Sequence, residues 1–381
     1  MNRAFFLAGA VAILAITVIS QQPAGPAPDE YSARELAVSP GGRPAVALTQ
    51  PAPRDRARPA IVAAEVLPGM AMNIHQLRAY VPGLGVIDML EAPPLEKLPP
   101  TPRSGGSILL PWANRIRGTA VDDKTIETEV LGRKLKLPLS RRGDGPNASH
   151  SIHGLLLGRP MDQVRTSSQA GSAAVNATLD AGDFGGHWPS RAQVTVAATL
   201  KDGAFLLEVT TRNIGSETLP VAAGWHPNFL YPSGERGQVR LRLPASRRAP
   251  ANNYQDVFPT GVIEEVRGTA YDFSASGGAP LKDLFLDDCF LGLNRNPAGH
   301  AVAEMADPAA KYGVRVVARS PEVRAIQVFA PLNRKLVAIE PQFNLVDPFG
   351  KAWDASVDTG MVKLAPGESV TYAVQVEVFI P

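Results

Sequence analysis

Along the second half of the chain apolar and polar residues alternate with a period of two, the pattern of strands that bury one face. The clearest run is Ala192-Gln193-Val194-Thr195-Val196-Ala197-Ala198-Thr199-Leu200, and a second, 204–213, follows it after Lys201-Asp202-Gly203. An Asp-Gly pair between two such runs is a strong hairpin signal, because a tight turn between strands needs residues that accept positive φ. Residues 313–319 and 324–329 are expected to form another pair, and 369–378 a last strand. That strand follows Leu364-Ala365-Pro366-Gly367-Glu368, where Pro and Gly preset a turn. Outside the N-terminal segment no apolar run at helical spacing exceeds two turns. Short strands with turn signals between them predict an all-β chain folded as one large antiparallel β-sandwich over residues 60–381.

The N-terminus follows different rules. Arg3 precedes an apolar run from Ala4 to Ile19, which gives way to Ser20-Gln21-Gln22. A positive start, an apolar middle and small residues at the end describe a secretory signal over residues 1–20. The run is close to the roughly 20 residues that span a bilayer, so an uncleaved membrane tether through residues 4–20 is the rival reading. Either places the rest of the chain outside the cytoplasm, periplasmic or secreted. Residues 21–59 are rich in Pro, Ala, Gly and Arg without apolar periodicity, and are expected to be a flexible linker.

Composition narrows the function. The 381 residues are 45% apolar, enough for a substantial core, and the net charge of +2 is dispersed over both signs. Nucleic acid as a partner is disfavoured, since phosphate binding needs clustered basic residues. Arg54-Asp55-Arg56-Ala57-Arg58 and Arg141-Arg142 are short basic segments of the kind that line a solvated surface. The single cysteine, Cys289, excludes an intrachain disulfide and a Cys-based zinc site. Its apolar neighbours favour a small buried hydrophobe over a nucleophile. No Gly-x-Ser-x-Gly, His-Glu-x-x-His or phosphate-cradling Gly-rich motif is present.

Two residues stand out chemically. His226, in Gly224-Trp225-His226-Pro227-Asn228-Phe229, and Glu340, in Ile339-Glu340-Pro341-Gln342, each precede a proline that biases them toward extended backbone. Imidazole titrates near neutral pH. Glu340 ends the apolar run 336–339, where partial burial raises a carboxylate pKa and strengthens it as a base. Taken alone, a histidine in an apolar strand reads as structural more readily than as catalytic, and the glutamate reads equally well as an edge ion pair.

Three further segments join them: Pro111-Trp112-Ala113-Asn114-Arg115-Ile116, Ser151-Ile152-His153-Gly154-Leu155 and Leu286-Asp287-Asp288-Cys289-Phe290. In this order the set resembles the aldose 1-epimerase (galactose mutarotase) family over roughly residues 108–378. The resemblance implies a mutarotase-like supersandwich with a sugar-binding cleft on one sheet, and anomer interconversion without metal or cofactor. It implies His226 as acid and Glu340 as base, with Arg115, His153 and Asp287 binding the sugar. Asp287 is preferred over Asp288 because neighbours on a strand face opposite sides, and Asn114 is expected as a turn residue. Trp225 and Phe229 are expected to offer aromatic bodies to the sugar's C–H face. The departure is Leu155-Leu156-Leu157 after His153-Gly154, where the family often places an aromatic. A free hexose is the expected substrate. A phosphorylated sugar, with Arg141, Arg142, Arg159 and Arg165 as candidate phosphate ligands, and a non-catalytic carbohydrate-binding module are the alternatives.

Overall fold

The computed structural model describes residues 30–99, 104–143 and 148–381; the export signal or tether expected over residues 1–20 lies outside them. Strands dominate, and the helical turns among the described residues are 3₁₀ turns of three residues each. A 12-stranded and a 9-stranded antiparallel sheet carry most of the chain, with a 4-stranded and a 2-stranded sheet at their margins. The alternating residues of both large sheets close on one continuous core that includes Val196, Phe205, Leu207, Trp225, Ile326, Ile339, Tyr372 and Val374. This is the expected sandwich, held by the non-directional gain of removing apolar surface from water.

The expected hairpin forms with Lys201 opposite Ala204. Asp202 and Gly203 take φ of 51° and 77°, as a two-residue turn that follows strand twist requires. The last strand, Ser369–Phe379, lies between Ala204–Asn213 and Tyr312–Ala318 in the 9-stranded sheet.

Two expectations are corrected. Residues 313–319 and 324–329 do not pair: Tyr312–Ala318 joins the 9-stranded sheet and Ala325–Ala330 the 12-stranded one. The Ser320-Pro321-Glu322 link is a crossing between sheets, since each strand buries its apolar face from the opposite side of one core. The linker expected over 21–59 is also not a linker throughout. Ser32–Glu35 and Val46–Thr49 are strands, and the second pairs with Ala60–Leu67. Ala45, Val46 and Leu48 are fully buried, so this short apolar run, inconspicuous among prolines and glycines, is part of the core.

Eight strands position the site. In chain order they are β1 (Asn73–Val81), β2 (Gly106–Leu109), β3 (Arg115–Ala120), β4 (Ser149–Ile152), β5 (Gly224–Leu230), β6 (Leu286–Leu293), β7 (Ala325–Ala330) and β8 (Leu336–Gln342). In the 12-stranded sheet the lateral order is β1-β2-β5-β8-β7-β6, while β3 and β4 pair in the 4-stranded sheet.

Candidate active site

The floor of the site is a row of polar residues laid across the middle of the large sheet. Ser107 on β2 is opposite His226 on β5. The pairings Gly224–Gln342 and Asn228–Ala338 put His226 opposite Glu340 on β8. Glu340 is opposite Gln327 on β7, and Gln327 is opposite Cys289 on β6. At the other end Asn73 Nδ2 donates to Ser107 Oγ at 3.0 Å. Directly opposed residues share a face of the sheet, so all of these side chains stand on the face away from the sandwich core. Their immediate neighbours Trp225, Ile339 and Ile326 point into that core. Strand alternation therefore makes one face apolar and gathers polar groups on the other.

Trp225 and Phe229 do not offer faces to a ligand, contrary to expectation. Both are fully buried, and Trp225 packs toward Phe205 of the other sheet with ring centroids 6.5 Å apart. Period two puts them on the side opposite His226 or out of line with it, and the indole N–H is spent on the Gly106 carbonyl at 3.0 Å.

Arg115 and His153 reach the site from the small sheet. Arg115 opens β3 and pairs with Ile152, the last residue of β4. His153 follows with φ 67° and its N–H donates to the Asn114 carbonyl at 2.8 Å, Asn114 itself having φ 59°. Gly154 is obligatory next: its φ is 78°, and a Cβ there would come within 2.1 Å of the Leu110 carbonyl oxygen. Asn344, just beyond β8, clamps this region to the Glu340 strand. Its Oδ1 accepts from the Ala113 N–H and its Nδ2 donates to the Ala113 carbonyl, both at 2.8 Å. The Asp347 N–H adds a bond to the Arg115 carbonyl at 2.8 Å.

The result brings the five sequence-selected residues together. His226 Nε2 lies 3.3 Å from Glu340 Oε1. The His153 ring meets the His226 ring edge-on, centroids 5.2 Å apart at 87°. Arg115 Nη2 is 3.7 Å from Asp287 Oδ2, and Arg115 Nη1 donates to Asn114 Oδ1 at 2.8 Å. Gln327 Nε2 donates to Asp287 Oδ1 at 2.7 Å. Asp288 belongs elsewhere: it accepts from Arg248 Nη1 at 2.7 Å and from the Tyr254 hydroxyl at 2.8 Å.

Burial dominates the electrostatics. Glu340 is held well above the usual carboxylate range by desolvation and then by the neighbouring Asp287 charge, with Arg115 opposing. Desolvation also raises Asp287, against the attraction of Arg115, and lowers Arg115. The two partners shift toward their neutral forms together, so burial outweighs their mutual attraction at this separation.

Sequence reasoning overlooked Gln327, Ser107, Asn73 and Asn344. The signal for Gln327 was a lone polar residue inside Ala325-Ile326-Gln327-Val328-Phe329. Cys289, at the end of the row, packs with Leu291, Leu345, Val346 and Trp353, and burial pushes its thiol up to about 12, out of nucleophilic range. Of the four candidate phosphate ligands, Arg141 bonds the Gln255 carbonyl and acts electrostatically on Arg115. Arg142 pairs with Asp123, Arg159 bonds the Ala181 carbonyl, and Arg165 lies on an edge strand of the 9-stranded sheet. Among the described residues no three His, Cys, Asp or Glu side chains cluster as metal ligands.

Residues 89–377 match the family model for aldose 1-epimerase. No curated protein matches the chain in sequence. Among solved structures, a galactose mutarotase-like protein from Clostridium acetobutylicum superposes with a TM-score of 0.72 at 18% identity, covering 92% of this chain and 99% of that one. The galactose 1-epimerase from Lactobacillus acidophilus gives 0.64 at 18% identity, with the same coverages of 92% and 99%. A GalM/aldose epimerase homologue from C. elegans gives 0.64 at 18%, covering 86% and 97%. At such identities the likeness to these structures is one of fold.

Proposed function

Since the chain belongs to the aldose 1-epimerase family, we propose that it interconverts the α and β anomers of a free hexose, with Glu340 as base and His226 as acid. The observation that carries this reading is the 3.3 Å contact between His226 Nε2 and Glu340 Oε1. The hydroxyl oxygen to be deprotonated and the ring oxygen to be protonated are bonded to the same anomeric carbon. Acid and base must therefore converge on a space about one atom wide, which a touching pair does. Glycoside hydrolysis asks for two carboxyl groups roughly 5–9.5 Å apart with a sugar bond between them.

In the proposed reaction Glu340 takes the proton of the anomeric hydroxyl as His226 gives one to the ring oxygen. The bond between the anomeric carbon and the ring oxygen breaks and a carbonyl forms. Rotation about the adjacent carbon–carbon bond presents the other face of the aldehyde. Reclosure returns both protons. The pair thus passes from imidazolium and carboxylate to imidazole and carboxylic acid and back. Burial that raises the Glu340 pKa makes the neutral form accessible, and so lowers the cost of the exchange. Arg115 and Asp287 are proposed to bind sugar hydroxyls by charge-assisted hydrogen bonds, and His153 to orient His226 from the edge of its ring.

Polarimetry of freshly dissolved α-D-glucose and α-D-galactose tests the proposal, with the Glu340→Gln protein beside the native one. Accelerated mutarotation lost in the variant is the expected result; equal rates for both proteins would refute Glu340 as the base. We further propose that the enzyme works outside the cytoplasm, a reading supported by the apolar run after Arg3.

A further inference from the structure

Two residues on from Glu340, β8 carries a second buried polar side chain that the anomer exchange leaves without a role. Gln342 is fully buried, and neither its Oε1 nor its Nε2 has a hydrogen-bond partner among the described residues. Period two puts it on the cleft face beside Glu340. Its cross-strand neighbours are Gly224 on β5 and Ala325 on β7, which have no polar side chain to offer its amide. Ala325 packs with Leu345, Val346 and Trp353, so that side of Gln342 is apolar. Asn344, two residues further along, differs: its amide is spent on both backbone groups of Ala113 and on the Leu345 carbonyl. A buried amide with no bonds costs free energy that a methionine of the same length would not. Burial of this kind calls for a partner.

The partner lies toward the reacting pair. Glu340 Oε1 touches His226, but Oε2 is buried and accepts no hydrogen bond, and the Arg115 Nε–H is buried and unpartnered as well. The titratable groups around this carboxylate are His226, His153, Arg115, Asp287, Cys289 and the Tyr372 phenol, and none of them bonds Oε2. Side chains two apart on one strand face are rooted about 6.6 Å from each other. Water between their polar ends bridges such a gap with two bonds of about 2.8 Å each. Resting on the reading of Glu340 as the base, we propose that Gln342 is a positioning residue that acts on Glu340 through internal water. The water accepts from Gln342 Nε2 and donates to Glu340 Oε2, with Arg115 Nε–H as a further donor and Gln342 Oε1 as a further acceptor. Those four groups supply the several polar partners that buried water needs. Donation to Oε2 favours the carboxylate form. It opposes the burial and the Asp287 charge that push Glu340 toward the neutral acid, and it keeps Oε1 turned to His226. Gln342 thereby sets how strong a base Glu340 is.

The test pairs Gln342→Met, which keeps the length and removes the amide, with a titration that needs no turnover. The Glu340 carboxyl is followed by difference infrared spectroscopy against pH, its band assigned by its loss in Glu340→Gln. Gln342→Met is expected to raise the midpoint by about one pH unit, tenfold in proton affinity. The acid limb of kcat/KM for mutarotation is expected to move up with it, a shift that a merely structural residue would not cause. A high-resolution crystal structure of the native protein, which does not depend on the variant folding, is expected to place ordered water in contact with both Gln342 and Glu340 Oε2. An unchanged midpoint in folded Gln342→Met, or a crystal structure in which no water joins the two residues, would overturn the proposal. A shifted midpoint in a protein that accelerates no mutarotation upholds the water link and removes the epimerase reading instead.

Discussion

Glu340 and His226 face each other from adjacent antiparallel strands, each followed by a proline, with 3.3 Å between Oε1 and Nε2. Pro341 and Pro227 withhold the N–H groups that would otherwise enter the ladder at this point. The strands stay extended through both residues, and the two side chains stand side by side on one face.

Replacing Glu340 by Gln keeps this shape and removes the base. Turnover is expected to fall by about 10²–10⁴-fold, the usual contribution of a positioned acid or base, while sugar affinity measured by calorimetry stays within a few fold. His226→Asn is expected to cost a similar factor, and the double variant little more than either single one, because half a proton relay is useless. A double variant whose losses multiply would show that the two act independently.

The same substitution should stabilise the fold. Glu340 has a folded-state pKa raised above the unfolded one, chiefly by burial, so between those two values the unfolded chain has released a proton that the folded protein retains. Native stability therefore falls as pH rises from the ordinary carboxylate pKa of about 4.3 toward the raised one. Glu340→Gln escapes this penalty. Its melting temperature is expected to exceed that of the native protein at neutral pH, and the gap to close below about pH 4. An equal gap at both pH values would count against the burial account.

Asn344 is a positioning residue with no proton to transfer. Asn344→Ala leaves the Ala113 N–H and carbonyl buried without their 2.8 Å partners, at a cost of about 2–4 kcal/mol in chemical unfolding. Because Arg115 is two residues from Ala113, KM is expected to rise more than kcat falls. A stable variant with unchanged KM would mean that the clamp does not set the position of Arg115.

Truncation distinguishes the tether from the fold. A chain beginning near Glu30 is expected to unfold like the full-length protein. One beginning at Ala60 loses the buried Val46 and Leu48, each worth about 1.5–3 kcal/mol, and bares the edge of Ala60–Leu67. Lower melting temperature and aggregation are expected for the shorter chain, and matching melts would refute a structural role for Ser32–Glu35 and Val46–Thr49.

Much of this architecture was legible in the sequence, because alternation reports which face of a strand is buried whatever the partner strand is. Alternation cannot report the partner itself. That is why 313–319 and 324–329 read as a hairpin although they serve different sheets. It also failed for Val46–Thr49, a strand too short to show a period amid Pro and Gly. At the site, the five residues carried by motif resemblance do converge. Gln327 and Asn344 stayed hidden because their meaning lies in contacts with Asp287 and Ala113, which only the assembled sheet creates. Trp225 was misassigned because adjacency in sequence to His226 was mistaken for adjacency in space. On a strand, adjacency means the opposite.

The row of polar residues across the sheet has a consequence for how the chain finds its pairing. Slipping β5 or β8 by one residue would exchange the two sides of that strand, driving His226 or Glu340 into the apolar interior and Trp225 or Ile339 into water. A carboxylate forced into that interior without a partner costs several kcal/mol, a large fraction of the roughly 5–15 kcal/mol by which a native domain is stable. The residues proposed to turn over the sugar are thus also proofreaders of the fold, and a molecule that has closed its sandwich incorrectly has no working site to misuse.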